Sequence, residues 1–520
     1  MSLPHDQEHA EKAALTNILA TLGPSTDSAE TLEHMVEAGA TLFRLNFSHG
    51  TFEDHKKRLD LVRSVEKKIG RALTVLGDLP GPKIRLGTVP GDGIVLETGT
   101  DVVIRSDLDE ARREGDEVIL PCNYERIAAE VKPGERVLIN DGAIRMLAVD
   151  TDGVSLRCRV THGDLATTRK GVNLPDSDLT IPALTEVDLK AVDWSVEHGL
   201  DFLALSFVRR GQEVLELRKR LAAICTAETC GLAFDGPDSE PRIPIISKIE
   251  TPQAVRNIEE ILDITDGLMV ARGDLGVEMD VAEVPIIQKQ LIERAHAHGK
   301  PCIVATQMLQ SMIDSASPTR AEVSDVANAV LDGADTVMLS GETAVGRFPV
   351  LTVATMARVL HVTEASLHAS EAHSARPPQK PRETRERTWA IAHGTWHMAQ
   401  DIGAKLVVVW SQSGGTARAL SRNGFRCPIV AFSSDIRSVR RMDILYGVTS
   451  LHLNEVPQHR SDFAQMADVI ILERGWVNRG DPVIFIGGKP LDRPGATNTV
   501  AIRYAGELTP GELDDTMMFH

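Results

Sequence analysis

The sequence predicts an α/β protein built on a (β/α)8 barrel, and three features of the 520-residue chain support this prediction. Eight short apolar runs recur along it, helical segments separate most of them, and the runs stop at polar side chains. Parallel strands that are buried on both faces give nearly continuous apolar runs. Polar groups at the carboxyl ends of strands are typical of the active-site face of a barrel. A doubly wound open sheet has similar strand chemistry and is the alternative.

The helices between the runs have recognisable ends. Thr251 and Pro252 mark one start, because threonine caps a first turn and proline suits the first helical position. Thr319 and Glu322 have the spacing of a capping box, and Gly333 is a stop signal for the helix after them. The eight predicted strands lie at residues 16–23, 41–50, 72–78, 201–210, 244–250, 267–274, 301–307 and 335–343.

Two long segments interrupt the barrel pattern. About 120 residues separate the third run from the fourth, and their short alternating apolar stretches between turn residues predict an inserted β domain. Near the C-terminus, a polar, proline-rich stretch precedes a second α/β unit. The stretch 225–242 is predicted to be a surface insertion of unassigned role. The predicted boundaries are 1–79 and 171–366 for the barrel domain, 80–170 for an inserted small β-barrel domain, 367–387 for a linker and 388–520 for a C-terminal α/β domain.

The charge of the chain limits the function classes that fit it. A formal net charge of −18 argues against a nucleic-acid binder, and it requires any anionic ligand to be held by a local cluster of arginines and lysines. The polar N-terminus and the lack of an apolar run of about 18 residues predict a cytoplasmic protein without a membrane partner. None of the six cysteines lies in a C-x-x-C pair, so all six are predicted to be reduced thiols.

Two neighbouring strand ends carry the strongest functional signal. Lys248 and Glu250 lie on the same face of one strand, since alternate residues point the same way, and Asp274 follows the next strand. Two carboxylates suit Mg²⁺, which keeps water and substrate oxygens as its other ligands. A neighbouring lysine suits the negative charge of a phosphoryl group in transfer. An ordinary ion-pair network at the strand ends is the alternative.

Other strand ends add polar groups of the same kind. Arg44 offers a forked contact for phosphate, and Asn46 on the same strand face offers an oxygen ligand. Thr306 and Ser340 end two neighbouring strands, where hydroxyls could orient water or hold a small carboxylate. A structural ion pair of Arg44 and local turn bonding by the two hydroxyls are the alternatives.

A glycine-rich loop stands out in the C-terminal unit, where a strand meets a helix. Exposed backbone N–H groups and hydroxyls in such a loop can bind an anion. The loop lacks the Gly-Lys-Ser/Thr ending of a Walker A motif, and a plain capped helix is the alternative. A second glycine-rich loop, with Lys489 and Arg493, could close over the same ligand. The first loop comprises Ser411, Ser413, Gly414, Gly415 and Thr416.

Taken together, these stretches resemble one family over nearly the whole chain. The motifs that carry the resemblance are RLNFSHG, GPKIR, KGVNLP, ISKIE, MVARGDLGVE, ATQML, PTRAEVSDVANAVLDGAD and MLSGETA. They are similar to those of pyruvate kinase. The resemblance implies a barrel, an inserted β domain that acts as a lid and a C-terminal effector domain, usually in a homotetramer. It also implies phosphoryl transfer in glycolysis from phosphoenolpyruvate to ADP, giving pyruvate and ATP.

The resemblance further implies a role for each candidate residue. Lys248 corresponds to the lysine that steadies the transferring phosphoryl group, and Ser340 to a proton-delivery group. The implied catalytic residues are Arg44, Lys248, Thr306 and Ser340, and the substrate-binding residues are Arg44, Ser206, Lys248, Gly273, Asp274 and Thr306. The implied nucleotide contacts are Asn46, His49, Arg85 and Lys170, and Glu250 and Asp274 would hold Mg²⁺ or Mn²⁺. The loop Ser411–Thr416, with Lys489 and Arg493, resembles the site of a phosphorylated activator.

The stretch LGDLPGPKIRLG departs from the commonest family pattern. Many relatives have Thr-Lys where Leu79 and Pro80 stand, and a glutamate where Lys83 stands. Those relatives use K⁺, held by oxygens that correspond to Asn46, Ser48, Asp78 and Leu79. A lysine ammonium is a compact monovalent charge, so Lys83 is predicted to replace K⁺ near Asp78. The alternative is that Lys83 points to solvent and K⁺ still binds.

Two other functions remain as alternatives. One is a carbon–carbon lyase of the same barrel class that uses Mg²⁺ and a pyruvate enolate. The inserted β domain and Lys248 argue against it, because such a lyase needs no lid for ADP. The other is a catalytically silent protein that senses an effector. The joint presence of Arg44, Lys248, Glu250, Asp274 and Thr306 argues against that interpretation.

Overall fold

The structure, a computed structural model, describes residues 14–231, 241–369, 380–382 and 385–507. The barrel begins with strands β1 (Asn17–Thr21), β2 (Ala40–Asn46) and β3 (Thr74–Asp78), helices α1 (Ala29–Glu37) and α2 (Phe52–Ile69), and a short 3-10 turn at Pro24–Thr26. Helix α2 begins after Thr51, whose hydroxyl accepts a hydrogen bond from the backbone N of Asp54, and ends at Gly70 in the left-handed conformation. A capping box and a glycine stop therefore set its length.

After β3 the chain enters a region of short strands. Seven of them form a sheet in the order β12-β8-β9-β10-β5-β7-β6, and β4 and β11 form a separate pair. Alternate side chains of β9 and β10 are buried, as the predicted alternation requires. The region has an apolar core of its own. Its elements are β4 (Ile94–Val95), β5 (Asp101–Arg105), β6 (Arg112–Glu114), β7 (Glu117–Pro121), α3 (Ile127–Glu130), β8 (Arg136–Ile139), β9 (Ile144–Thr151), β10 (Ser155–His162), β11 (Leu165–Ala166) and β12 (Val172–Asn173).

The chain then completes the barrel. All eight predicted runs form strands, which close in the parallel order β1-β17-β16-β15-β14-β13-β3-β2. Because β1 pairs with both β2 and β17, the barrel prediction is confirmed and the open sheet is excluded. The elements are α4 (Glu186–Glu197), β13 (Phe202–Leu205), α5 (Gly211–Ile224), β14 (Ile245–Ile249), α6 (Pro252–Arg256), α7 (Ile258–Ile264), β15 (Gly267–Ala271), α8 (Arg272–Glu278), α9 (Val284–Ala297), β16 (Cys302–Ala305), a 3-10 turn (Gln310–Ile313), α10 (Arg320–Leu331), β17 (Thr336–Leu339), α11 (Gly341–Ala344) and α12 (Pro349–Ala369).

The predicted helix ends are confirmed. The hydroxyl of Thr251 accepts from the first turn of α6, and Thr319 with Glu322 forms the capping box of α10. Gly333, just past α10, has a φ of +94°. The segment predicted as one helix after Thr251 is divided at Asn257, where the backbone leaves helical geometry with φ −98° and ψ 20°. The side-chain amide of Asn257 donates to the carbonyl of Arg209 at 2.9 Å.

The C-terminal domain is a five-stranded sheet with helices, so the predicted α/β unit is confirmed. The order is β20-β19-β18-β21-β22, with β22 antiparallel at the edge. Within the described ranges of the whole chain, no helix is both long enough and apolar enough to span a membrane. The elements are α13 (Glu386–Ile402), β18 (Leu406–Trp410), α14 (Gly415–Ser421), β19 (Ile429–Ser433), α15 (Ile436–Met442), β20 (Val448–His452), α16 (Arg460–Glu473), β21 (Pro482–Gly488) and β22 (Thr497–Tyr504).

The C-terminal domain packs against the amino ends of the barrel strands. Side chains inside the barrel, such as that of Phe202, belong to one buried apolar cluster with side chains of β18 and β19. Asp335, at the start of β17, forms a buried ion pair with Arg422, which follows α14. The hydroxyl of Thr336 donates to the carbonyl of Ile444 at 3.2 Å. The carboxyl ends of the strands, where the candidate residues lie, therefore face away from this domain.

The prediction that all six cysteines are reduced is wrong for two of them. Cys225 and Cys230 form a disulfide. A tight turn between Thr226 and Thr229, just after α5, brings the two Cα atoms within 5.6 Å of each other, which sequence spacing did not reveal. The other four cysteines are buried thiols. Residues 232–240 of the predicted insertion, and 370–379 and 383–384 of the predicted linker, lie outside the described residues.

Candidate active site

The carboxyl ends of the barrel strands surround a cavity of about 110 Å³. Strands β2, β3 and β14, the loops that follow β3 and β14, and helix α8 contribute its charged side chains. Five residues predicted for the active site, Leu79, Arg85, Lys170, Gly273 and Ser340, do not line it. The predicted residues that do are Arg44, Asn46, Ser48, His49, Asp78, Lys83, Ser206, Lys248, Glu250, Asp274 and Thr306.

Asp78 is the centre of an ion-pair network in this cavity. Its carboxylate accepts from Arg44 with an Nε–Oδ2 distance of 2.7 Å and lies 3.3 Å from Lys248 Nζ. Lys248 Nζ is also 2.9 Å from Glu250 Oε1 and donates to the hydroxyl of Ser206 at 2.7 Å. The cations that contact Asp78 therefore come from β2 and β14, not from the loop that follows Asp78 in sequence.

The buried charges of the network shift one another's pKa. Burial disfavours the ammonium group of Lys248, but Asp78 and Glu250 outweigh this effect and raise the pKa of Lys248. Burial also disfavours the carboxylate of Asp78, but Arg44 and Lys248 outweigh it and lower the pKa of Asp78. Lys248 therefore carries its positive charge at neutral pH, beside an ionised Asp78.

Glu250 and Asp274 are the two carboxylates that could hold a divalent cation. Burial raises the pKa of Glu250, Lys248 opposes this shift, and the nearby Asp274 adds to it. A divalent cation would offset the cost of keeping both carboxylates ionised, so the donors fit a hard ion such as Mg²⁺. The described residues hold no cluster of three or more acidic, histidine or cysteine side chains suited to a metal. Water and substrate would therefore supply the remaining ligands.

Thr306 lies at the end of β16 in an unusual backbone conformation. Its φ is +69°, and that of Gln307 is +56°, in the left-handed region that β-branched residues rarely adopt. The Thr306 hydroxyl accepts a hydrogen bond from the backbone N of Gly273 at 2.8 Å. Ser340 follows β17 outside the cavity wall, and its buried Oγ has no hydrogen-bond partner among the described residues.

A larger cavity, of about 370 Å³, lies between the barrel and the inserted region. It shares His49, Lys83 and Asp274 with the first cavity, so the two are adjacent. The predicted nucleotide contacts Arg85 and Lys170 line it. A basic wall on one side and carboxylates on the other suit a phosphate chain that carries a divalent cation.

Several charged residues near the site were not singled out in the sequence, among them Glu278, Arg272 and the larger cavity's Asp141, Arg169 and Arg209. Glu278 lines the larger cavity, where burial raises its pKa to about 7 although Asn173 donates a hydrogen bond to its carboxylate. Arg272 is buried behind Thr306. Both lie in the stretch MVARGDLGVE, in which only Gly273 and Asp274 were predicted as site residues. The spacing of four between Asp274 and Glu278 was a usable signal, because such residues share a helix face.

The oxygens implied for a K⁺ site already accept hydrogen bonds from the protein. Asn46 Oδ1 accepts from the backbone N of Ser48 at 3.1 Å, and the carbonyl of Leu79 accepts from the hydroxyl of Ser206 at 2.6 Å. Lys83 lies at the rim of the cavity with its side chain exposed. Its ammonium forms no ion pair with any residue in the described part of the chain.

A third cavity, of about 110 Å³, lies in the C-terminal domain where β18 meets α14. The predicted effector residues that line it are Ser411, Ser413, Gly415, Thr416 and Arg493. Gly414 and Lys489 do not. Arg385, Arg418 and Thr497 line it in addition. Arg385 was missed as a candidate because it lies in the segment interpreted as a linker.

The fold and the site define a barrel enzyme whose active site joins a buried lysine to carboxylates beside a basic cavity. Sequence profiles for the pyruvate kinase barrel domain and the pyruvate kinase alpha/beta domain match residues 13–353 and 389–503. The chain belongs to the pyruvate kinase family and is a phosphotransferase.

Individual relatives agree with the profiles. Pyruvate kinases from Corynebacterium glutamicum and Thermococcus litoralis are each 37% identical to the chain, over 95% and 94% of its length and 98% of theirs. The crystal structure of a pyruvate kinase from Cryptosporidium parvum matches with a TM-score of 0.85 and 34% identity, covering 95% of this chain and 96% of that one. The likeness therefore spans the barrel, the inserted region and the C-terminal domain together.

Proposed function

We propose that the protein transfers the phosphoryl group of phosphoenolpyruvate to ADP, forming pyruvate and ATP in glycolysis. The observation that carries this proposal is the buried ammonium of Lys248, held between Asp78 and Glu250 in the wall of the barrel cavity. A fixed cation in a site with little water stabilises the charge of a transferring phosphoryl group far more than the same cation in solution.

The network prepares the site before phosphoenolpyruvate binds. Asp78 orients Arg44 through Nε, and Thr21 accepts from Arg44 NH1 at 3.2 Å, so this guanidinium needs no reordering to meet a phosphate. Ser206 fixes Lys248 in the same way. Mg²⁺, or Mn²⁺ in its place, held by Glu250 and Asp274, would supply a further positive charge to the phosphoryl oxygens.

Thr306 and Ser340 are proposed to deliver the proton that converts the enolate product into pyruvate. The Thr306 hydroxyl accepts from Gly273, so its own hydrogen remains available for donation into the cavity. A buried hydroxyl that lacks a protein partner, as Ser340 does within the described structure, normally bonds water or a ligand. Together they would form a short path from solvent to the enolate carbon.

The larger cavity is proposed to bind ADP. Arg85 and Lys170 would contact its phosphates. His49, where the two cavities meet, and Asn46, in the wall of the barrel cavity, would lie near the phosphoryl group in transfer. The inserted region forms one wall of this cavity, so a movement of that region would close the site over the nucleotide. Closure of this kind excludes water from a transferring phosphoryl group.

We propose that activity does not require K⁺. The carbonyl of Leu79 and the side-chain oxygen of Asn46 are engaged by the protein, and Lys83 places a monovalent charge at the cavity rim. Activity measured in buffer free of K⁺ and NH₄⁺ should match activity with added KCl. If activity requires KCl, the kinase assignment stands, but the proposal that Lys83 replaces K⁺ is wrong.

The cavity of the C-terminal domain is proposed to bind a phosphorylated activator. The hydroxyls of Ser411, Ser413 and Thr416 and the guanidinium of Arg493 converge there. Hydroxyls and arginines together form a site for a phosphate group. They do not distinguish a sugar monophosphate from a bisphosphate or a nucleotide.

The active assembly is proposed to be a homotetramer in the cytoplasm, with neither nucleic acid nor membrane as a partner. Several large apolar side chains on the barrel helices and loops are exposed in one chain, which suits subunit contacts. Sedimentation equilibrium should give four chains per particle, and a monomer would contradict the proposal. The exposed residues are Val281 (73%), Ile286 (55%), Val345 (59%), Leu351 (44%) and Val362 (63%).

One experiment separates the proposed reaction from the alternatives. Purified protein is incubated with phosphoenolpyruvate, ADP and Mg²⁺, and both products are measured. We expect ATP and pyruvate in equal amounts. In separate incubations, release of pyruvate from an added larger 2-oxo acid without ATP formation would favour a lyase, and binding of added sugar phosphates by a protein that forms no product would favour a sensor.

A further inference from the structure

We propose that Arg272 is a positioning residue, which holds Thr306 in the conformation that aims its hydroxyl at the substrate. This inference rests on the proposed transfer and proton-delivery reaction. Arg272 opens helix α8, and its side chain is buried, with 8% of the residue exposed. The residue roles implied by the family resemblance do not include this side chain.

The guanidinium of Arg272 joins three elements of the barrel. One terminal nitrogen, NH2, donates to the carbonyl of Thr306 at 2.7 Å and contacts Met308 Sδ at 2.8 Å, both in the loop after β16. The other, NH1, donates to Asp325 Oδ1 in α10 at 2.7 Å. The side chain therefore ties the start of α8 to the loop that carries Thr306, and α10 holds it in place.

Thr306 needs such a restraint. A left-handed φ at a β-branched residue is strained and persists only where the surroundings impose it. At Thr306 the φ is +69°, and the peptide carbonyl of this residue is the group that receives the Arg272 hydrogen bond. Without that bond the peptide could relax toward an ordinary conformation, and the side-chain hydroxyl would turn with it.

The second restraint on Thr306 also comes from the same segment. Gly273, the next residue after Arg272, donates its backbone N–H to Thr306 Oγ1 at 2.8 Å. A Cβ atom at Gly273 would lie 3.2 Å from that oxygen, so the close approach favours glycine. Arg272 thus holds the carbonyl of Thr306 with its side chain, while its neighbour holds the hydroxyl. The two bonds together fix the direction of the threonine side chain.

A double-mutant cycle tests whether Arg272 acts through Thr306. We measure kcat for ATP formation in wild type, Arg272→Met, Thr306→Ala and the double variant. Misplacement of a reacting group by about 1 Å can cost about 100-fold in rate, so we expect Arg272→Met to lower kcat by about 10- to 100-fold. In the Thr306→Ala background the same change should have almost no further effect, because there is no hydroxyl left to position.

The matched control is Arg242→Met. Arg242 is equally buried, at 7% exposed, and its guanidinium lies 2.6 Å from Asp266 at the other end of the barrel. We expect this variant to lower the melting temperature without changing kcat per folded enzyme. If Arg272→Met does not fold, Arg272→Lys replaces it in the cycle. Lysine keeps the charge but cannot reach both acceptors, so an intermediate loss in kcat is expected.

The outcomes distinguish this inference from the proposed function. If wild-type protein forms no ATP, the proposed function itself fails. If wild type forms ATP and the loss caused by Arg272→Met is the same with and without Thr306, the positioning role is overturned. A loss that disappears in the Thr306→Ala background supports it.

Discussion

Replacing Lys248 with methionine removes the charge on which the proposed reaction depends. Methionine has a similar length, so the change deletes the ammonium group with little loss of volume. Three contacts disappear: 3.3 Å to Asp78, 2.9 Å to Glu250 and 2.7 Å to Ser206. Loss of one group that stabilises transition-state charge costs about 10²–10³-fold, and loss of a cation on a transferring phosphoryl group costs about 10³–10⁵-fold. We therefore expect kcat to fall by at least about 10³-fold.

The same change also affects stability. Removing one partner from a buried ion pair costs about 3–5 kcal/mol. Arg44 continues to pair with Asp78, with an NH2–Oδ2 distance of 2.6 Å, so we expect a loss near the lower end of that range. Glu250 and Asp274 keep their carboxylates, and Mn²⁺ binding followed by electron paramagnetic resonance should persist.

The assay is ATP formation by folded protein, with Lys300→Met as the control. Lys300 is another buried lysine of the barrel, and its Nζ donates to the carbonyl of Thr265 at 2.7 Å, away from the active-site end. We expect the control to have a lower melting temperature than wild type and an unchanged kcat. A Lys248→Met enzyme within about tenfold of the wild-type kcat would refute the role assigned to this lysine.

Three further predictions concern other parts of the molecule. In metal-free protein, the pKa of Glu278 is raised from 4.5 to about 7. Its carboxylate therefore destabilises the fold increasingly as the pH rises from 4.5 to about 7, by up to about 3 kcal/mol at higher pH, and this cost is absent below pH 4.5. The gain in melting temperature of Glu278→Gln over wild type should therefore grow from pH 5 to pH 8, and a constant difference would contradict this. Asp335→Asn leaves the buried guanidinium of Arg422 without its carboxylate, which should cost about 3–5 kcal/mol in urea unfolding; a cost under about 1 kcal/mol would be inconsistent with the pair as described. Ser413→Ala combined with Thr416→Ala should remove the activation of the enzyme by phosphorylated sugars, measured as the ratio of rates with and without each sugar in the same variant. An unchanged ratio would place the effector site elsewhere.

The strands of the fold could be predicted because their signal is local. A parallel strand that is buried on both faces is apolar along its whole length, and a polar residue marks where it ends. Capping boxes and glycine stops then fix helix ends from four or five neighbouring residues, as at Thr319 and Gly333. The division of a predicted helix at Asn257 could not be foreseen, because the amide of that residue bonds to a different segment of the chain.

The candidate residues of the site could be named from sequence, but their partners could not. Asp78 precedes Lys83 by five positions, yet its carboxylate contacts Arg44 and Lys248, because the register of the four neighbouring strands β2, β3, β13 and β14 brings these side chains together. Arg272 could not be singled out, because its acceptors lie on two other segments. Long-range contacts of this kind have no periodic signature in the chain.

The most direct test of the account follows the phosphoryl group itself. Phosphoenolpyruvate labelled with ³²P is incubated with the purified protein, ADP and Mg²⁺ in buffer that contains no K⁺ or NH₄⁺, and the label is counted in ATP and in inorganic phosphate. The account predicts that the label moves to ATP, with one pyruvate formed for each ATP. Label that remains in phosphoenolpyruvate or appears only as inorganic phosphate, both with and without added KCl, would contradict it.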